Sequence, residues 1–212
     1  MRWRPKGDDG GPSHGFGQPM RTNRLEAFSD GVLAIVITIM VLEIKVPHDT
    51  QPLALMPLIP VFLSYLLSFL YIGLYWNNHH HMLHTLERVD GPILMANLHL
   101  LFWLSLVPFA TGWMGQNPRA TAPAALYGLV LLMAALAYYI LQSRIIAAQG
   151  SGSLLRQAVG RDWKGHASLG LYMVALPASL RAPVIAQAIY ALVALWWLAP
   201  DPRIEKVLRD PR

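Results

Sequence analysis

Two clusters of polar residues interrupt an otherwise apolar chain, each where an apolar run begins or ends. The first is Arg24-Leu25-Glu26-Ala27-Phe28-Ser29-Asp30-Gly31, and the second is Trp76-Asn77-Asn78-His79-His80-His81-Met82-Leu83-His84. His79, His80 and His84 offer imidazoles at helical spacing, and positions four apart share a helix face, so metal ligation is one chemistry within their reach. There is no Cys, and the cluster is read without a carboxylate partner, so no metal site is assigned. Two other readings stand beside it. Trp and His form interfacial belts with polar tips at headgroup level, or the imidazoles bond across to Asp30 or Ser29. Asp30 enters an apolar helix, where an ionisable group is costly unless paired or hydrated. A first-turn acid would be favoured by the helix dipole. Asp30 sits deeper, and its six-residue distance from Arg24 puts the two on different faces, so each needs a partner on another helix. Asn97 and His99 enter a later apolar run in the same way, and a buried Asn there bonds a neighbouring helix.

Past the first cluster, Gly31, Ile35, Thr38 and Leu42 recur at spacings of four, three and four, which makes one helical stripe. Such a stripe is either a helix-packing seam or a pore wall, with Ile and Leu as constrictions and a hydroxyl between them for a passing ion. Periodicity does not separate the two. Glu43, with Lys45 two residues on, reads as a solvated interfacial charge. No Ser/His/Asp set or metal-ligand set recurs at membrane depth, and His99 and His166 stand alone, so the chain does not read as an enzyme.

The elements that must hold these residues are membrane helices. The 212 residues are 54% hydrophobic and only 14% charged, with a mean hydropathy of +0.37. A soluble domain carries about 25% charged residues, so too few are present here to clothe a water-facing surface. A run of about 18 apolar residues crosses a bilayer, and the stretches 25–44, 53–78, 93–116 and 120–143 each suffice. The stretches 165–180 and 182–199 are shorter and are parted by Arg181 and Pro183, which predicts a tight helical hairpin and six spans in all. Pro108 predicts a kink in the third span. With six spans, fourteen of the seventeen Lys and Arg fall on one side and only Lys45, Arg119 and Arg181 on the other. The positive-inside rule then places both termini in the cytoplasm. The net charge of +5 thus follows membrane orientation and does not point to nucleic acid. Residues 1–20 are Gly/Pro-rich and polar, a disordered cytoplasmic tail without the apolar core of a signal peptide. Residues 21–200 form the membrane domain, with a flexible linker expected at 149–152, and 201–212 form a cytoplasmic tail.

Arg24-x-x-x-Phe28-Ser29-Asp30 at the head of the first helix resembles the signature of the transmembrane-protein-175 family, potassium-permeable channels of bacteria and of animal endosomes and lysosomes. The resemblance continues through Gly31-Val32-Leu33-Ala34-Ile35, Trp76-x-x-His79-His80, Asn97-Leu98 and Leu106-Val107-Pro108-Phe109. It covers the chain from Arg24 to about residue 200, and a single signature matches the one-repeat bacterial form. The resemblance implies an all-α, six-span homotetramer in the bacterial inner membrane, with four copies of the first helix lining a central pore. It implies that Ile35 forms the narrowest ring, that Thr38 and Leu42 continue the pore with Gly31 above, and that potassium passes transiently near Ile35 and Thr38. It also implies that Arg24, Phe28, Ser29 and Asp30, with Trp76, His79, His80 and Asn97, tie the first helix to the second and third. No cofactor is expected beyond the permeant ion, and no partner beyond further copies of the chain and the lipid bilayer.

A competing class is a proton-coupled secondary transporter using Asp30 and the His79–His81 cluster as a relay. Matching halves with Gly/Pro-broken helix pairs, the usual mark of that class, are missing from the sequence.

Overall fold

Where no water competes for backbone N–H and C=O groups, an apolar chain satisfies them within a helix. The computed structural model describes residues 22–199 apart from Glu87 and Arg161, and the expected tails 1–20 and 201–212 lie outside the described residues. Helix α1 is Thr22–Leu42. A 3-10 stretch, Pro52–Leu58, leads straight into α2, Ile59–His84, with Pro60 in the first turn where a missing N–H costs nothing. The third apolar run is two helices, α3 (Gly91–Ser105) and α4 (Val107–Gln116). The break falls at Leu106, two residues ahead of Pro108, whose ring nitrogen has no hydrogen to give the Leu104 carbonyl. Asp90 caps α3 by accepting the Ile93 N–H at 2.8 Å.

Helix α5, Thr121–Gln149, is the longest at 29 residues, about 43 Å at 1.5 Å per residue. It stops at Gly150, whose φ of 69° suits a residue without a side chain. The linker expected to be flexible at 149–152 is instead a 3-10 turn, Gly150–Gly152, held by one amide. Gln149 Nε2 donates to the Thr85 carbonyl (2.7 Å) and hydroxyl (3.0 Å), while its Oε1 accepts from Ser153 Oγ at 2.6 Å. Short α6 (Leu154–Val159) follows, then α7 (Trp163–Ser179), capped by Asp162, and α8 (Pro183–Leu198). Among the described residues four helical stretches are long and apolar enough to cross a membrane: Thr22–Leu42, Pro52–His84, Gly91–Gln116 and Thr121–Gly152. Helices α7 and α8 pack together as a hairpin but are shorter, at 17 and 16 residues.

Helix α5 is the hub, packed on α3, α4, α7 and α8, whereas α1 lies at one side against α2, α3 and α4. The interior carries a web of hydroxyls among the apolar side chains. Ser68 Oγ stands 2.6 Å from Thr111 Oγ1 and 2.9 Å from Tyr127 Oη. Tyr172 Oη donates to Tyr71 Oη, which donates to the Tyr190 carbonyl at 2.6 Å. Helices come close where residues are small. A Cβ on Gly115 would lie 2.9 Å from the Val61 Cα, and one on Gly128 would overlap the Tyr190 hydroxyl and lie 2.7 Å from Cζ of that ring. Gly128→Ala is therefore expected to destabilise the bundle by about 1–3 kcal/mol, the usual cost of overpacking. A lowered thermal midpoint of the purified protein, partly restored in Gly128→Ala/Tyr190→Leu, is the result to look for.

Candidate functional site

Helix α1 has two unlike faces. Leu25, Ser29, Leu33, Val36 and Met40 are buried, facing α2, α3 and α4. About 160° round the helix, at 3.6 residues per turn, the surface is bare. Ile35 is 60% exposed and Leu42 76%, and Gly31 and Thr38 are exposed with them. Arg24 and Phe28 extend the same line, so that within a broader exposed face, which also takes in Ala27, Ala34, Ile39 and Val41, positions 24, 28, 31, 35, 38 and 42 stand at spacings of four, three, four, three and four. That is the heptad spacing with which helices meet along a common axis. Thr38 Oγ1 donates its only hydrogen to the Ala34 carbonyl at 2.8 Å, which leaves the oxygen lone pairs free to accept from water or to meet a cation. A Cβ on Gly31 would meet nothing within 4 Å, so packing inside the chain does not require a glycine there.

The buried face of α1 is tied down by polar groups. Ser29, Asn97 and His79 are all fully buried. Their hydrogen bonds run in one direction: His79 Nε2–H donates to Asn97 Oδ1 (2.7 Å), Asn97 Nδ2 donates to Ser29 Oγ (3.0 Å), and Ser29 Oγ donates to the Leu25 carbonyl (2.9 Å). The chain joins α2 to α3 and α3 to α1. His79 Nδ1 has no partner among the described residues.

A second tie lies nearer the surface. Asp30 Oδ1 accepts the Trp76 indole N–H at 3.0 Å, and Glu26 Oε1 lies 2.7 Å from His80 Nδ1. Glu26 and Asp30 are one turn apart on α1, and Trp76 and His80 one turn apart on α2, so the pairs match in antiparallel register. The Trp76 ring stacks on His80 with centroids 6.0 Å apart.

The direct histidine bond to Asp30 or Ser29 expected from the sequence is not formed. Neighbours on a helix diverge by about 100°, so His79 faces Asn97 on α3 while His80 faces Glu26 on α1, and His79 reaches Ser29 only through Asn97. His81 is exposed and takes no part, and Asp30 bonds Trp76 rather than a member of the histidine relay. Of the signature residues, Ser29 and Asp30 join these ties, whereas Arg24 and Phe28 stand on the outer face. Glu26 is the residue sequence reasoning passed over. Its signal was the equal four-residue spacing of Glu26–Asp30 and Trp76–His80.

Bilayer-length apolar helices packed on α5, with α1 at one side anchored by polar bonds on its inner face and bare on its outer face, define a polytopic membrane protein. The family model described as "Endosomal/lysosomal potassium channel TMEM175" matches residues 24–108. A potassium channel of Chryseobacterium sp. (strain P1-3) is 52% identical over 191 residues, 90% of this chain and 100% of that protein. A potassium channel of Streptomyces collinus is 32% identical over 195 residues, 83% of this chain and 91% of the other. The crystal structure of a lysosomal potassium-selective channel TMEM175 homolog from Chamaesiphon minutus superposes with a TM-score of 0.73 at 30% identity, over 84% of this chain and 96% of that one. The chain belongs to the TMEM175 family, a family of ion channels and not of enzymes.

Proposed function

We propose that the chain is a potassium-permeable cation leak channel of the bacterial inner membrane, in which four copies surround a pathway lined by α1. The observation that carries this reading is the bare outer stripe of α1, regular from Arg24 to Leu42 and opposite the face that α2, α3 and α4 hold. One helix cannot enclose a pathway, so the stripe needs further copies of itself. In this arrangement six helical crossings place both termini in the cytoplasm, α7 and α8 forming the last pair. Ile35 makes the narrowest ring, dry when closed and conducting when the helices splay slightly, without a carbonyl filter. Thr38 oxygens beside it replace part of a potassium ion's hydration, and Leu42 continues the wall. The relatives named as potassium channels support the choice of ion. The two polar ties hold α1 at a fixed distance from α2 and α3, so the ring has a defined width.

The purified protein is expected to elute as a tetramer by light scattering. In planar bilayers under bi-ionic potassium/sodium conditions its reversal potential should be shifted toward potassium. A monomer without conductance, or exchange that saturates and requires a counter-ion, would sink the channel reading.

A further inference from the structure

The carboxylate missing from the sequence reading of the histidine cluster arrives from another helix. Glu26, in the second turn of α1, sets Oε1 2.7 Å from His80 Nδ1 and 3.7 Å from His84 Nε2. His80 and His84 are one turn apart at the end of α2, their rings edge to face with centroids 4.3 Å apart. One ligand atom from each of the three residues lies within 4.8 Å of the other two. Around a tetrahedral first-row ion with nitrogen and oxygen ligands at about 2.0–2.1 Å, neighbouring ligand atoms stand about 3.3 Å apart. The two spacings from Glu26 bracket that value, and the two imidazoles, within 4.8 Å of each other, close on an ion by turning about their side-chain bonds.

We propose that Glu26, His80 and His84 form a binding site for a zinc-class divalent cation that joins the start of α1 to the end of α2. Two imidazoles and one carboxylate suit borderline ions such as zinc, whereas magnesium and calcium call for more oxygen ligands. The His84 side chain is 62% exposed and that of Glu26 only 19%, so the site is backed on one side and open to water on the other, where a fourth ligand enters. Trp76, stacked on His80 and bonded to Asp30, fixes the plane of that imidazole from behind, the usual task of an outer shell. Occupancy is independent of whether α1 lines a pore.

The test titrates zinc chloride into the untagged full chain in detergent by calorimetry, with cobalt(II) as a spectroscopic substitute. One zinc per chain is expected, together with the intense visible bands of tetrahedral cobalt. Glu26→Gln and His84→Ala should each weaken binding by more than about tenfold, since losing even an outer-shell partner costs about 10–100-fold. His84 is exposed enough for its variant to fold, and elution volume checks that directly. His81→Ala, an exposed neighbour outside the set, should bind as the parent does. Equal affinity in His84→Ala and the parent, loss of binding in His81→Ala, or a weak octahedral cobalt spectrum would each overturn the assignment.

Discussion

If Ile35 forms the constriction, Ile35→Asn is expected to raise potassium flux through the reconstituted protein by about tenfold or more, since each 1.4 kcal/mol removed from a barrier multiplies a rate about tenfold. Water inside a narrow apolar ring gives up hydrogen bonds it cannot replace, so the ring empties and an ion must cross it without its hydration shell. Asn is no larger than Ile, but it brings a carbonyl oxygen and an NH2 group that hold water in place. Ile35→Leu keeps the ring dry and should leave flux near that of the parent. The comparison is clean because Ile35 is 60% exposed and lies off the buried face of α1. The substitution therefore leaves packing within the chain untouched, and an unchanged oligomer size by light scattering separates altered flux from altered assembly. Dye-monitored flux from liposomes under a potassium gradient measures the effect, with valinomycin giving the total releasable signal. Equal flux in the parent and the Asn variant would remove Ile35 from the constriction.

The spacing of residues 31, 35, 38 and 42 was plain in the sequence, yet which way that stripe faced was not. Lipid, a helix seam and a pore wall all accept Ile, Leu, Thr and Gly, so composition carries no sign of the burying partner. The structure rules out a seam within the chain, because the opposite face, with Leu25, Ser29, Leu33, Val36 and Met40, is the one taken up by the other helices. The helical runs were readable because backbone satisfaction in an apolar setting leaves few options. The corner at Gln149 was not, since Gly-Ser-Gly suggests a free linker and gives no hint that an amide reaches Thr85, 64 residues away. The Tyr71, Tyr127, Tyr172 and Tyr190 web was hidden for a similar reason. Tyr in an apolar run is equally at home at a membrane interface. The histidine cluster was visible as chemistry but not as geometry, because the 100° step between His79 and His80 sends adjacent side chains to different helices.

Asn97→Leu is expected to cost the most stability of any single substitution in the polar ties. Asn97 stands between the other two side chains, accepting from His79 and donating to Ser29. Ser29 Oγ survives its loss, since its own hydrogen still goes to the Leu25 carbonyl. His79 does not. Its Nε2–H loses its acceptor, and shifting the hydrogen to Nδ1 gives no relief because that atom has no partner among the described residues either. Either tautomer therefore leaves a fully buried N–H unmade, at about 1–3 kcal/mol. Interhelical hydrogen bonds in membranes are worth only about 0.6 kcal/mol on average, so the orphaned group, rather than the bond's net value, sets the size of the effect. A lowered thermal midpoint by thiol-independent melting, with a shift from the oligomer toward smaller species in light scattering, is the expected result. His79→Leu/Asn97→Leu removes both partners and should recover part of the loss, because apolar replacement of a whole pair is close to neutral. If the double variant is no more stable than Asn97→Leu alone, the cost lies in altered packing between α1, α2 and α3 and not in an unsatisfied imidazole.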